Sequence, residues 1–72
     1  MLEIVFYHLP DNQVEMALIY NNQEQGPRIA MSKARALIVA QAMIPKLNPK
    51  QFEEWLNQAE QPFFPQKEIH NT

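Results

Sequence analysis

The stretch from Met31 to Ile44 most constrains what this chain can fold into. Ser32 is placed to cap a helix there, and Pro45 ends it. Its polar residues do not line up. At 100° per residue, Lys33, Arg35 and Gln41 point in three different directions. A helix that is apolar nearly all round has to be covered nearly all round. The chain has 72 residues and no cysteine, so no disulfide can brace a small core. A domain this small buries only about 60% of the surface its unfolded chain exposes. These two facts together predict a second copy or a partner protein.

The remainder of the chain supplies little to surround that helix. Leu2 to Leu9 reads as a strand, with Leu2, Ile4 and Phe6 on one face and Val5, Tyr7 and Leu9 on the other. Pro10-Asp11-Asn12-Gln13 has turn chemistry. Val14 to Tyr20 then completes a β-hairpin, with Val14, Met16, Leu18 and Tyr20 on one face and Glu15, Ala17 and Ile19 on the other. Asn21 to Arg28 reads as a polar loop punctuated by Gly26-Pro27. A lone hairpin is marginal in water and needs a packing partner. One of its faces should take the helices, and the other face or the open edge has no obvious cover.

The second helix has the clearest local signature. Asn48 is a predicted N-cap, Pro49 takes the first helical position, and Gln51 completes a capping-box pattern. Leu47 and Phe52 fit a hydrophobic staple. Phe52, Trp55, Leu56 and Ala59 form one apolar stripe, which assigns Trp55 to the core. Glu53, Glu54, Asn57 and Glu60 cover the other side, and Pro62 ends the helix. The short Pro45–Asn48 link makes the two helices an αα-hairpin. The expected fold is therefore α+β, a small ββαα domain over residues 1–65. In it an N-terminal β-hairpin packs on a C-terminal αα-hairpin and dimerisation completes the structure. Residues 66–72 are expected to be a flexible tail.

Charge is sorted along the chain. Glu3, Asp11, Glu15 and Glu24 give residues 1–24 a charge of −4, and Arg28, Lys33, Arg35, Lys46 and Lys50 give residues 25–52 a charge of +5. Glu53, Glu54, Glu60 and Glu68 against Lys67 leave −3 on the last twenty residues. Arg28, Lys33 and Arg35 cluster around the start of the first helix, where three donors near a positive dipole end could form an anion site. The competing expectation is that these cations pair with the acidic flanks of the same or a second copy.

Most catalytic chemistries are poorly supplied. Ser32 sits where an N-cap belongs and has neither a base nor an oxyanion hole within evident reach. His8 and His70 show no ligand spacing, and without cysteine a zinc site would need both plus two carboxylates. His8 reads instead as a polar residue at a sheet edge or interface. Glu53 and Glu54 are adjacent, so on a helix they diverge and cannot share a substrate. A single glycine, Gly26, cannot build a phosphate loop. No metal or cofactor is implied. Pro62-Phe63-Phe64-Pro65 matches the minimal PxxP pattern, but two bulky aromatics in a small domain also suit a core or an interface.

Nucleic-acid recognition is disfavoured. The strand–helix–helix order is that of ribbon-helix-helix repressors in outline, yet Val14 to Tyr20 carries Glu15 and no base. In a helix-turn-helix arrangement the last helix would bring Glu53, Glu54 and Glu60 towards phosphates. The sequence pI is near 5.5. The longest apolar run, Ala36 to Ile44, is too short to span a membrane, and Glu3 opposes a secretory leader, so a cytoplasmic protein is expected. A hydrophobic content of 46% with one glycine argues against disorder.

By elimination the expected function is a non-catalytic protein-interaction module. It would act as an adaptor or inhibitor by occupying a partner's surface, with itself and an unidentified protein as partners. Chains this short without catalytic residues are common among phage- and plasmid-encoded proteins. Aromatics and arginines tend to anchor interfaces, so the expected partner-binding residues are Tyr7, Tyr20, Arg28, Lys33, Arg35, Phe63 and Phe64. The alternatives are a weak nucleic-acid or anion binder through residues 28–50, or a structural subunit of a larger assembly.

Overall fold

The structure is a computed structural model that describes residues 2–58 and 60–65. Ala59 of the predicted stripe, His70 and the predicted tail lie outside the described residues. The chain is an α+β domain with β1 (Leu2–Leu9), β2 (Gln13–Tyr20), β3 (Gln23–Ser32), α1 (Lys33–Met43) and α2 (Pro49–Gln58) in sequence order. The strands form one antiparallel sheet in the order β1-β2-β3.

The predicted hairpin is present, and its register joins the predicted faces. Ile4 pairs with Leu18, Phe6 with Met16 and His8 with Val14, so one continuous apolar face meets the helices. At the first turn Asp11 and Asn12 both adopt positive φ, which their short polar side chains tolerate.

The third strand corrects the expected polar loop. Asn21 and Asn22, at φ 52° and 64°, make a two-residue turn that sends the chain straight back along β2. The Gly26-Pro27 punctuation is absorbed in a bulge. Between Met16↔Ile29 and Leu18↔Gln25, β2 advances one residue, Ala17, while β3 advances through Gly26, Pro27 and Arg28. Gly26 sits at φ +69°, a conformation that L side chains rarely adopt. Proline is tolerated because β3 is an edge strand. Met31 and Ser32 also belong to β3, so α1 starts two residues later than expected.

The core lies between the sheet and the two helices. Ile4, Phe6, Val14 and Met16 meet Ala36, Ala40 and Ile44 from α1 and its C-cap, and Phe52, Trp55 and Leu56 from α2. Aromatic rings hold its centre. Phe52 lies edge-on to Phe6 at 4.9 Å and to Phe63 at 5.1 Å, and stacks on Trp55 at 5.6 Å. The segment after α2 returns to the sheet. Phe63 and Phe6 exchange both backbone hydrogen bonds, at 2.9 and 3.0 Å, which covers part of the outer edge of β1. The opposite sheet face is not bare. Val5 and Ala17, a direct cross-strand pair, are fully buried there.

Both predicted helix starts are capped by side chains. Ser32 Oγ accepts from Arg35 N at 3.1 Å, and Asn48 Oδ1 accepts from Lys50 N at 3.1 Å and Gln51 N at 3.2 Å. Ser32→Ala and Asn48→Ala should each destabilise by about 1 kcal/mol, read as a lower urea midpoint at unchanged slope. A change below roughly 0.3 kcal/mol at either site would show that water replaces the cap.

Candidate interaction surface

The surface of α1 departs from what its composition suggests. Only Ala36 and Ala40 of the helix are fully buried, with Leu37 and Val39 packed against the core at its flanks. Its outer side carries Ala34, Ile38 and Ala42, all exposed, and Ile38 reaches 67% exposure. Met43 is exposed at the helix end. Among the described residues the all-round apolar helix is therefore covered on one side only. The sheet lies beneath it, α2 flanks it, and its outer side has no cover among the described residues. Ile29, on the helix-facing side of edge strand β3, is 49% exposed.

The seven residues expected to bind a partner are dispersed. Tyr7 and Arg28 meet on the sheet face away from the helices, with the guanidinium 4.1 Å from the ring centroid. Arg28 also bonds Glu24 through Nε at 2.9 Å and Nη2 at 3.1 Å, and Glu15 through Nη1 at 3.0 Å. It thus ties the β3 bulge across β2 to β1. Tyr20 pairs with Leu2 at the far end of the hairpin, and both are about half exposed. Lys33 is half-buried and Arg35 exposed, and two positions apart on a helix they point about 200° from each other. Phe63 is buried in the core at 4% exposure, and Phe64 is half-buried.

The three-cation anion site expected at the start of α1 is therefore not assembled. Arg28 is committed to two carboxylates on the other side of the sheet. Lys33, Arg35, Lys46 and Lys50 form no ion pair among the described residues. The two hydrogen bonds from Arg28 hold the Glu24 carboxyl below its ordinary value, with the ion pair's charge attraction adding to the effect, and the same contacts raise the Arg28 guanidinium. A carboxyl lowered on folding stabilises the fold above its unfolded value, and that contribution is lost as pH falls through the folded one. Arg28→Ala should lower the urea midpoint only slightly at pH 7, because the cluster is solvent-exposed and screened. The difference from the parent chain should shrink in acid and in high salt. A deficit that persists at pH 3 would assign the role of Arg28 to packing on Tyr7 instead.

His8 also finds an internal partner. Its Nε2 lies 2.9 Å from the Trp55 carbonyl oxygen, and its ring is 4.0 Å from the indole. A carbonyl only accepts, so Nε2 carries the proton. The indole Nε1 donates in turn to the Gln61 carbonyl. Beside it a shallow groove of about 290 Å³ is lined by Gln51, Glu54, Trp55, Gln58, Gln61, Pro62 and Phe63. It offers one carboxylate and three amides, without a nucleophile–base pair. No helix among the described residues is long and apolar enough to cross a membrane.

The geometry defines a small three-stranded α+β domain in which the outer face of α1 has no cover among the described residues. Comparison with protein-family models, curated proteins and solved structures returns no match.

Proposed function

We propose that the chain is a non-catalytic protein-interaction module of the cytoplasm, acting as an adaptor or inhibitor by occupying a partner's surface. One observation carries this reading, the exposed apolar row of α1 centred on Ile38. The chain packs a dense aromatic core elsewhere, so the row is not left out for want of apolar contacts. Contiguous apolar surface rimmed by polar groups marks association sites on small soluble domains.

A tagged copy is tested by pull-down from a lysate of the source organism, with and without nuclease. A stoichiometric protein that survives nuclease supports the reading, and its loss with Ile38→Glu would assign the contact to this row. Material lost on nuclease treatment favours the second reading, a weak nucleic-acid or anion binder. That second reading is supported by the four cations Lys33, Arg35, Lys46 and Lys50, which form no ion pair among the described residues. Its affinity would fall steeply with salt, by roughly one log-log slope unit per phosphate neutralised.

A further inference from the structure

We infer that the outer face of α1 docks an apolar, acid-flanked helix of another protein. The inference rests on the interaction-module reading and adds the surface and the partner's chemistry. Ala34, Ile38 and Ala42 stand at i, i+4 and i+8, so they form one row about 12 Å long. Two small side chains flank one large one, which leaves shallow slots on either side of Ile38. A row of this kind is what a second helix packs its own ridge against.

The rim of the row fixes the sign of the partner. Arg35 stands beside it on the helix, and Lys46 follows just past its C-terminal end. No acid occurs between residues 25 and 52, and none of these cations is ion-paired among the described residues. A complementary surface must therefore bring carboxylates around an apolar centre.

A second copy of this chain does not supply that surface. Placing α1 on α1 of another copy sets the same cations against one another. The outer face of α2 presents Glu53, Glu54, Asn57 and Gln58, all exposed, and would bury Ile38 against charged and amide groups. Pairing at the free edge of β3 is blunted by the Gly26–Arg28 bulge and by Pro27, which lacks an N–H.

The test titrates the ¹⁵N-labelled full chain with a synthetic helical peptide carrying leucines at i, i+4 and i+8 flanked by glutamates. The control peptide has lysine at each glutamate position. Amide shifts should centre on residues 34–46, with the acidic peptide at least about tenfold tighter at low salt and the advantage shrinking as salt rises. Ile38→Glu should abolish the shifts while leaving the urea midpoint of the free chain unchanged. Equal binding of both peptides, shifts centred elsewhere, or no shifts with either would overturn the proposal. So would concentration-dependent dimerisation that Ile38→Glu removes, which would give the face to a second copy. A pulled-down protein whose capture ignores Ile38→Glu would retire this surface and leave the module reading standing.

Discussion

Phe52→Ala should leave most of the chain unfolded at room temperature. Phe52 is fully buried and touches the other three aromatic centres of the core, Phe6, Trp55 and Phe63. It is also the residue through which the first turn of α2 is seated on β1. Truncating a buried phenylalanine costs about 3–5 kcal/mol, because the lost transfer energy adds to that of a cavity rigid neighbours cannot close. A cysteine-free domain of this length holds on the order of 3–5 kcal/mol in total. The two quantities are equal in size, so the folded population collapses. Far-UV circular dichroism and Trp55 fluorescence would report it together, with no folded baseline left in a urea titration. A loss below about 1 kcal/mol would mean that α2 is not anchored through Phe52.

The parts of this fold that were legible in the sequence are those whose signal is local. Alternation from Leu2 to Leu9 and from Val14 to Tyr20 gave the first two strands and their shared face. Caps at Ser32 and Asn48 gave the helix starts to within two residues, because a cap is a contact between residues three apart. The stripe of Phe52, Trp55 and Leu56 gave the buried side of α2. β3 was missed for a physical reason. Gln23 to Arg28 has no apolar alternation, because all six residues are exposed and none has to face the core. Gly26-Pro27 reads as a loop until the sheet is known to bulge there. The one available signal was Asn21-Asn22, two residues that tolerate positive φ between Tyr20 and Gln23.

The candidate surface divides in the same way. The unusual character of α1 was plain from Lys33, Arg35 and Gln41 pointing in three directions. Which side would stay uncovered was not, because that depends on where the sheet and α2 lie. The fate of Arg28 was hidden for a different reason. Its partners Glu15 and Glu24 sit on β2 and β3, and only the bulge turns the guanidinium towards them. Neighbours in sequence at the start of α1 thus end on opposite sides of the molecule.

Phe63 and Phe64 separate two roles that their sequence context leaves merged. A PxxP ligand needs an extended segment whose backbone and side chains are free to enter a partner's groove. Here the Phe63 backbone is bonded to Phe6, its ring packs on Phe52 and Trp55, and Pro65 is buried. The segment forms a single antiparallel bridge to β1 and closes the aromatic core. Phe63→Ala should therefore cost about 3–4 kcal/mol, close to the whole stability of the domain. It should also shift Trp55 emission to the red, as water reaches an indole whose Nε1 is held by the neighbouring Gln61 carbonyl. Phe64, half-buried, should cost about 1–2 kcal/mol when truncated, in proportion to the smaller apolar area it removes from water. Urea titrations of the two variants side by side test the assignment. If Phe64→Ala were the more damaging, the segment would be seated with its alternate face inward, since consecutive side chains of an extended segment point to opposite sides of the sheet. If neither variant moved the midpoint, residues 61–65 would not be part of the folded unit, and Pro62 to Pro65 would be open to a partner.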